Sequence, residues 1–125
     1  MNKEEINGLS NKVLGLAISV HKEIGPGFVE SIYEKALSYE LGKARIKFEE
    51  QKEIRVKYKS VDLGHQRIDF LIDNEIIIEI KSVSEINKIH EAQILSYLKT
   101  AEKKLGLILN FARNKLDIKR LVNNL

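Results

Sequence analysis

The chain has no cysteine, which removes disulfides and thiolate metal sites together. It has one proline, Pro26, inside the tripeptide "GPG" at Gly25 to Gly27. No uninterrupted apolar run approaches the roughly 20 residues that a membrane span needs. The opening "MNKEEINGLSNK" is charged and polar where a secretory leader would carry an apolar core. These absences point to a cytoplasmic protein. Strong charge of one sign is missing too. A formal net charge of +3 over 125 residues is weak for a dedicated nucleic-acid coat protein. On that ground phosphate is a permitted partner, not an implied one.

What is present fits a soluble globular chain, with 43% hydrophobic and 31% charged residues. The length gives one domain, residues 1–125, with room for a real core. Val13, Leu16, Ala17, Val20 and Ile24 fall at helical spacing, which predicts a helix over residues 10–24 capped by Ser10 or Asn11. "GPG" breaks it, and a second helix is expected from Phe28 to Leu41, ending at Gly42. Residues 43–53 are mixed. "IRVKY" alternates as a half-buried strand, and "KSVDLG" reads as a turn with a little pairing of its own. Strands over 66–72 and 76–81 follow, joined at Asp73-Asn74-Glu75. A helix over 86–104 comes next, with Ile89, Ala92, Leu95 and Leu98 or Ala101 on its core stripe. The apolar strand "LGLILNF" (105–111) and a weaker strand over 116–122 close the chain. The order predicts a mixed sheet: three antiparallel strands, a helical crossover, then one or two more strands, with helices on its faces.

The segment "RIDFLIDNEIIIEIKS" (67–82) poses the chemical question, because Asp69, Glu79 and Lys81 interrupt an otherwise apolar hairpin. Alternation puts Glu79 and Lys81 on one face with Ile77. A two-residue loop would pair Asp69 with Ile78 and point it away from Glu79, whereas a three-residue loop would pair Ile72 with Ile76 and bring Asp69 opposite Glu79, their Cβ atoms roughly 5 Å apart. Two carboxylates that close need a proton or a cation between them, and hard oxygen donors suit Mg²⁺ or Mn²⁺. Lys81 would aim at the same place. The plain alternative is a strand-end Asp69 with a surface Glu79–Lys81 ion pair; the apolar surroundings weigh against it. Glu30, three residues before Tyr33, shares a helical face with Tyr33 and Leu37, although a first-turn carboxylate already complements a helix dipole. His90, Gln93 and Tyr97 make a polar stripe on the third helix, in which His90 reads as an ordinary surface histidine.

"GPGFVESIYEKAL", Asp69, "EIK" at Glu79 to Lys81, "AQILSYL" and "LGLILNF" together resemble the GxxExxY proteins of the PD-(D/E)XK nuclease superfamily, in the expected order from about Leu9 to Val122. Ile68 stands where the superfamily's naming proline would precede Asp69. The resemblance implies a restriction-endonuclease-like core with a metal-dependent phosphodiesterase site. It implies Asp69 and Glu79 as Mg²⁺ ligands, the Ile80 carbonyl as a third, and Glu30 as an added acid near the metal. Lys81 resembles the lysine that positions the attacking water. Gln93 and Tyr97 resemble a Gln-x-x-x-Tyr motif supporting the site and the nucleic-acid backbone, with Tyr33 grouped beside them. The expected function is a Mg²⁺-dependent nuclease acting on DNA. The alternatives are a catalytically inactive module of the same fold that binds nucleic acid or a protein partner, and a plain metal- or phosphate-binding protein. A chain this short has little surface for gripping a duplex, which a homodimer would supply.

Overall fold

The apolar runs become the centre of a five-stranded sheet. In the computed structural model, which describes residues 1–125, the elements are α1 (Lys3–Ile24), α2 (Glu30–Lys43), β1 (Phe48–Tyr58), β2 (Val61–Ile72), β3 (Ile76–Lys81), α3 (Lys88–Ala101), β4 (Leu105–Asn110) and β5 (Asp117–Val122). The strands lie side by side in chain order. β1, β2 and β3 form the antiparallel meander. α3 then carries the chain across, so that β4 runs parallel to β3, and β5 returns antiparallel. This is the mixed α/β architecture that the order of elements predicts.

The sheet has two apolar faces because its middle strands are buried on both sides and mostly apolar. Ile76 to Ile80 are buried, and so is all of β4. Phe70, Ile72, Ile76 and Ile78 pack with Val13, Ala17, Tyr33 and Leu37 of α1 and α2. Leu71, Ile77 and Ile108 pack with Ile94, Tyr97 and Leu98 of α3. At about 0.8 kcal/mol per buried methylene, these two layers dominate the stability of the domain.

Several boundaries differ from the expected ones. α1 begins at Lys3, and Ser10 is buried inside it instead of capping it. The real cap is Asn2, whose side chain accepts the Glu5 amide while the Glu5 carboxylate takes the Asn2 amide. α2 starts only at Glu30, since Gly25 and Gly27 hold φ of 72° and 106°, and it runs past Gly42. In α3 the buried stripe is Ile94, Tyr97 and Leu98, whereas Ile89 is 77% exposed. The stripe taken for a polar flank therefore holds a core position, Tyr97. β1 and β2 are far longer than expected. They form a two-stranded ribbon, turning at Lys59-Ser60 with both residues left-handed, and β3 pairs with only its base, Phe70 to Ile72.

Candidate active site

The β2–β3 loop sets the register of the acids. Asp73 and Asn74 are left-handed, and Ile72 pairs with Ile76, Leu71 with Ile77 and Phe70 with Ile78. That is the register of a three-residue loop. The ladder stops one pair short of Asp69 and Glu79, which corrects the expected direct opposition. Asp69 Oδ2 instead accepts the Ile80 amide at 2.8 Å, so a side chain takes the place of a strand carbonyl and the strands part.

Glu79 is 6% exposed, and its carboxyl is pushed up to about 9. Burial is the main cause, Asp69 adds to it by hydrogen bond and charge, and Lys81 opposes it. The two carboxylates are thus neighbours that cannot both stay ionised without a compensating positive charge. Lys81, half-buried at the end of β3, joins none of the ion pairs, and neither do Asp69, Glu79, Glu30 or Glu34.

α3 delivers Tyr97 to the same place. Its phenol is pushed up to about 12, by burial first, then by Glu79 and Asp69, with Gln93 opposing. It therefore stays protonated and is a hydrogen-bond donor beside two carboxylates. Gln93 is exposed next to it. His90 stays out, as expected of it: its Nδ1 accepts the Asn87 amide at 3.1 Å in a capping box.

α2 brings acids to the other side of Asp69. Glu30, Ser31, Glu34, Gln51, Asp69 and Ile80 line an open cleft of about 210 Å³. Glu30 Oε2 accepts the Ser82 amide at 3.1 Å, so the carboxylate is turned to the end of β3. Tyr33, grouped with the supporting side chains, does not line the cleft but braces it from the core. It is fully buried. Its hydroxyl donates to the Gly25 carbonyl at 2.7 Å and accepts the Phe28 amide at 3.1 Å. Its ring stacks on Phe111 with centroids 4.4 Å apart. It fixes the loop from which Glu30 projects.

Three cleft residues, Ser31, Gln51 and Glu34, were not anticipated. Gln51, left-handed at φ 49° in the middle of β1, donates to Glu34 and, at 3.3 Å, to Asp69 Oδ1. Glu34 is raised above the usual carboxylate range by burial first, with Asp69, Glu50 and Glu30 adding and Gln51 opposing. Glu34 had a visible signal, since it follows Glu30 by one helical turn. Gln51 had none, because its role depends on a backbone conformation that glutamine seldom adopts.

No group of three or more His, Asp or Glu side chains converges closely enough to hold an ion as it stands. Asp69 and Glu79 are a pair. Glu30 is committed to Ser82, so its expected place among the ligands is not preformed. The pair still fits a hard divalent cation. A cation between them would let both acids ionise, and Mg²⁺ keeps several waters while taking one or two carboxylates.

The sequence model of the PD-(D/E)XK nuclease superfamily matches residues 7–121. Among solved structures, the crystal structure of SSO0001 superposes with a TM-score of 0.58 at 20% identity, covering 76% of this chain and 50% of that one. The chain thus spans about half the length of that protein, and at this identity the likeness is one of fold. No curated protein matches. No helix is long and apolar enough to cross a membrane.

Proposed function

Because the chain belongs to the PD-(D/E)XK nuclease superfamily, whose members generally hydrolyse phosphodiester bonds, we propose that it is a Mg²⁺-dependent nuclease acting on DNA, of the GxxExxY group. The observation that carries this reading is the Asp69–Glu79 pair, with its buried, strongly raised carboxyl and an unpaired Lys81 one pleat away. An ordinary structural ion pair would have joined the lysine to one of the acids.

Asp69 and Glu79 supply the hard oxygens, with the carbonyl of Ile80, the residue after Glu79, as a third donor. A bound divalent cation would acidify water and neutralise phosphoryl oxygens. Asp69 keeps its orientation because the Ile80 amide and Gln51 hold its two oxygens separately. Lys81 presents an ammonium where negative charge develops on the phosphoryl group. Tyr97, protonated throughout the working range, donates a hydrogen bond to the acids or to the nucleic-acid backbone, and Gln93 extends that row on the exposed side of α3. Glu30 holds the Ser82 amide and with it the chain leaving β3.

The test is incubation with labelled duplex, single-stranded and branched DNA, and matching RNA, in Mg²⁺, Mn²⁺ or EDTA. Metal-dependent cleavage that disappears in Asp69→Asn and in Glu79→Gln is expected. Binding without cleavage of any substrate in either metal would make the protein a quiet module of the same fold.

A further inference from the structure

The β1–β2 ribbon extends beyond the rest of the sheet. Beyond Phe70 each of its strands has only the other as neighbour, although Ile54 and Ile68 seat its base against α3. Between Lys52 and Arg67 the sequence holds five Lys or Arg and two Asp or Glu. The outer part of the ribbon is thus basic, although Glu49, Glu50 and Asp69 at its base offset that surplus and residues 99–120 carry a larger one, seven Lys or Arg against two Asp or Glu. The pairs Glu53–Arg67 and Arg55–His65 set a polar face that continues to Lys57 by alternation. Arg55 is occupied by Asp62 and Glu53, and Lys52 by Glu49. Lys57, Lys59 and Arg67 are exposed and join no ion pair. At the tip, Tyr58, Val61 and Leu63 are each more than half exposed.

Charge alone would protect a free strand edge from pairing with another chain, but mixed signs serve that purpose equally well, and here the unpaired charge is all positive. The ribbon also begins at the cleft: Gln51 and Asp69 lie at its base and line it. From Gln51 to Tyr58 it reaches roughly 20 Å at the usual strand rise. The major groove of B-form DNA admits a two-stranded ribbon of this kind, whereas that of A-form RNA is too deep and narrow. We propose that the β1–β2 ribbon is a duplex-DNA-binding arm: Lys57, Lys59 and Arg67 contact phosphates, the apolar tip meets the groove, and the duplex runs past the Asp69–Glu79 cleft. This rests on the nuclease reading for the identity of the ligand, but the arm binds DNA whether or not the cleft cuts it.

The experiment measures binding in EDTA, so cleavage plays no part. Polarisation titrations with labelled duplex DNA, duplex RNA and single-stranded DNA at several salt concentrations compare three proteins. They are the wild type, the triple variant Lys57→Gln/Lys59→Gln/Arg67→Gln, and a control that removes the same charge from α1, Lys3→Gln/Lys12→Gln/Lys22→Gln. Wild type is expected to prefer duplex DNA. The arm variant should bind it at least about tenfold more weakly, with a salt slope shallower by about 2.7 for three lost phosphate contacts, and the α1 control should bind as wild type does. Equal losses in both variants would reduce the effect to net charge and overturn the proposal, as would tighter binding of RNA or of single strands. A third variant, Tyr58→Ser/Val61→Ser/Leu63→Ser, is run by analytical ultracentrifugation. If it abolishes self-association while leaving DNA affinity unchanged, the arm is a dimer contact and the proposal fails. Cleavage by wild type together with an unaffected arm variant would sink the arm and spare the nuclease reading. DNA binding through the arm without cleavage would do the reverse.

Discussion

Asp69 and Ile80 are joined by a hydrogen bond from the Ile80 amide to Asp69 Oδ2, 2.8 Å long, at the point where β2 and β3 stop pairing. Had the ladder continued, a carbonyl would have taken that amide and Asp69 would have been one more strand residue. The exchange turns its carboxylate inward, next to Glu79, and opens the gap that becomes the cleft.

Stability of the metal-free protein should fall as pH rises. The Glu79 carboxyl is raised from its ordinary 4.5 to about 9, so between those values the folded state keeps a proton that the unfolded chain has released. Stability is full below about 4.5, declines by up to about 1.4 kcal/mol per pH unit across the window, and levels off beyond it. Glu79→Gln should flatten the decline and be the more stable protein at pH 8. Urea unfolding at a series of pH values, with and without Mg²⁺, reads this directly. A wild-type profile already flat without metal would mean that the two acids do not share a desolvated site.

Lys81→Ala should cut cleavage by about two orders of magnitude or more, typical for loss of a charge stabiliser in the transition state. Affinity for Mn²⁺ by calorimetry should hold, because the ammonium is not a ligand. Cleavage at wild-type rates would leave Lys81 as a solubilising strand-end residue.

For Glu30→Gln, two roles separate cleanly. A dipole role at the start of α2 contributes about 0.3–1 kcal/mol of stability and nothing more. The amide can still accept from the Ser82 amide, so folding should change no more than that. If the carboxylate leaves Ser82 to join a bound cation, cleavage should nevertheless fall at least tenfold, equivalent to about 1.4 kcal/mol. Single-turnover kinetics beside a denaturation curve distinguishes the two roles, and unchanged kinetics removes Glu30 from the site.

Tyr33→Phe keeps the stack on Phe111 but strands the Gly25 carbonyl and the Phe28 amide, both now served by one hydroxyl. The cost should be about 1–3 kcal/mol in chemical denaturation. An unchanged midpoint would show that water replaces the hydroxyl and that the loop does not depend on it.

The middle of the fold was legible because its strands are buried on both faces, so β3 and β4 announce themselves as isoleucine and leucine runs. Asp73-Asn74-Glu75 marked the turn, but the choice between a two- and a three-residue loop, and with it the register, needed the backbone itself. The ribbon was legible only in part: "IRVKY" and the pairing around "KSVDLG" showed in the pattern, but its length did not, because "FEEQKE" has no apolar alternation to betray a strand. The first turns of α1 were hidden for a similar reason: "KEEINGLS" is mostly polar, although Asn2 and Glu5 spell the capping box. Tyr97 was placed on a polar flank because a phenol counts as either class, and only packing against Ile94 and Leu98 decides. Asp69, Glu79 and Lys81 could be singled out as charges in an apolar context. Gln51 could not, since no pattern predicts a left-handed glutamine inside a strand.

Position in the sheet also sets the order in which the protein comes apart. β3 lies between β2 and β4 with its residues from Ile76 to Ile80 buried, and amides in such a strand exchange with solvent only when the whole domain opens. The ribbon tip has no such cover. On warming, it frays while β3 still holds, so grip on a long ligand would fade some degrees below the melt, whereas the acid pair keeps its geometry until the domain itself is lost. Thermal inactivation on a short oligonucleotide would then track unfolding, and inactivation on a long duplex would run ahead of it.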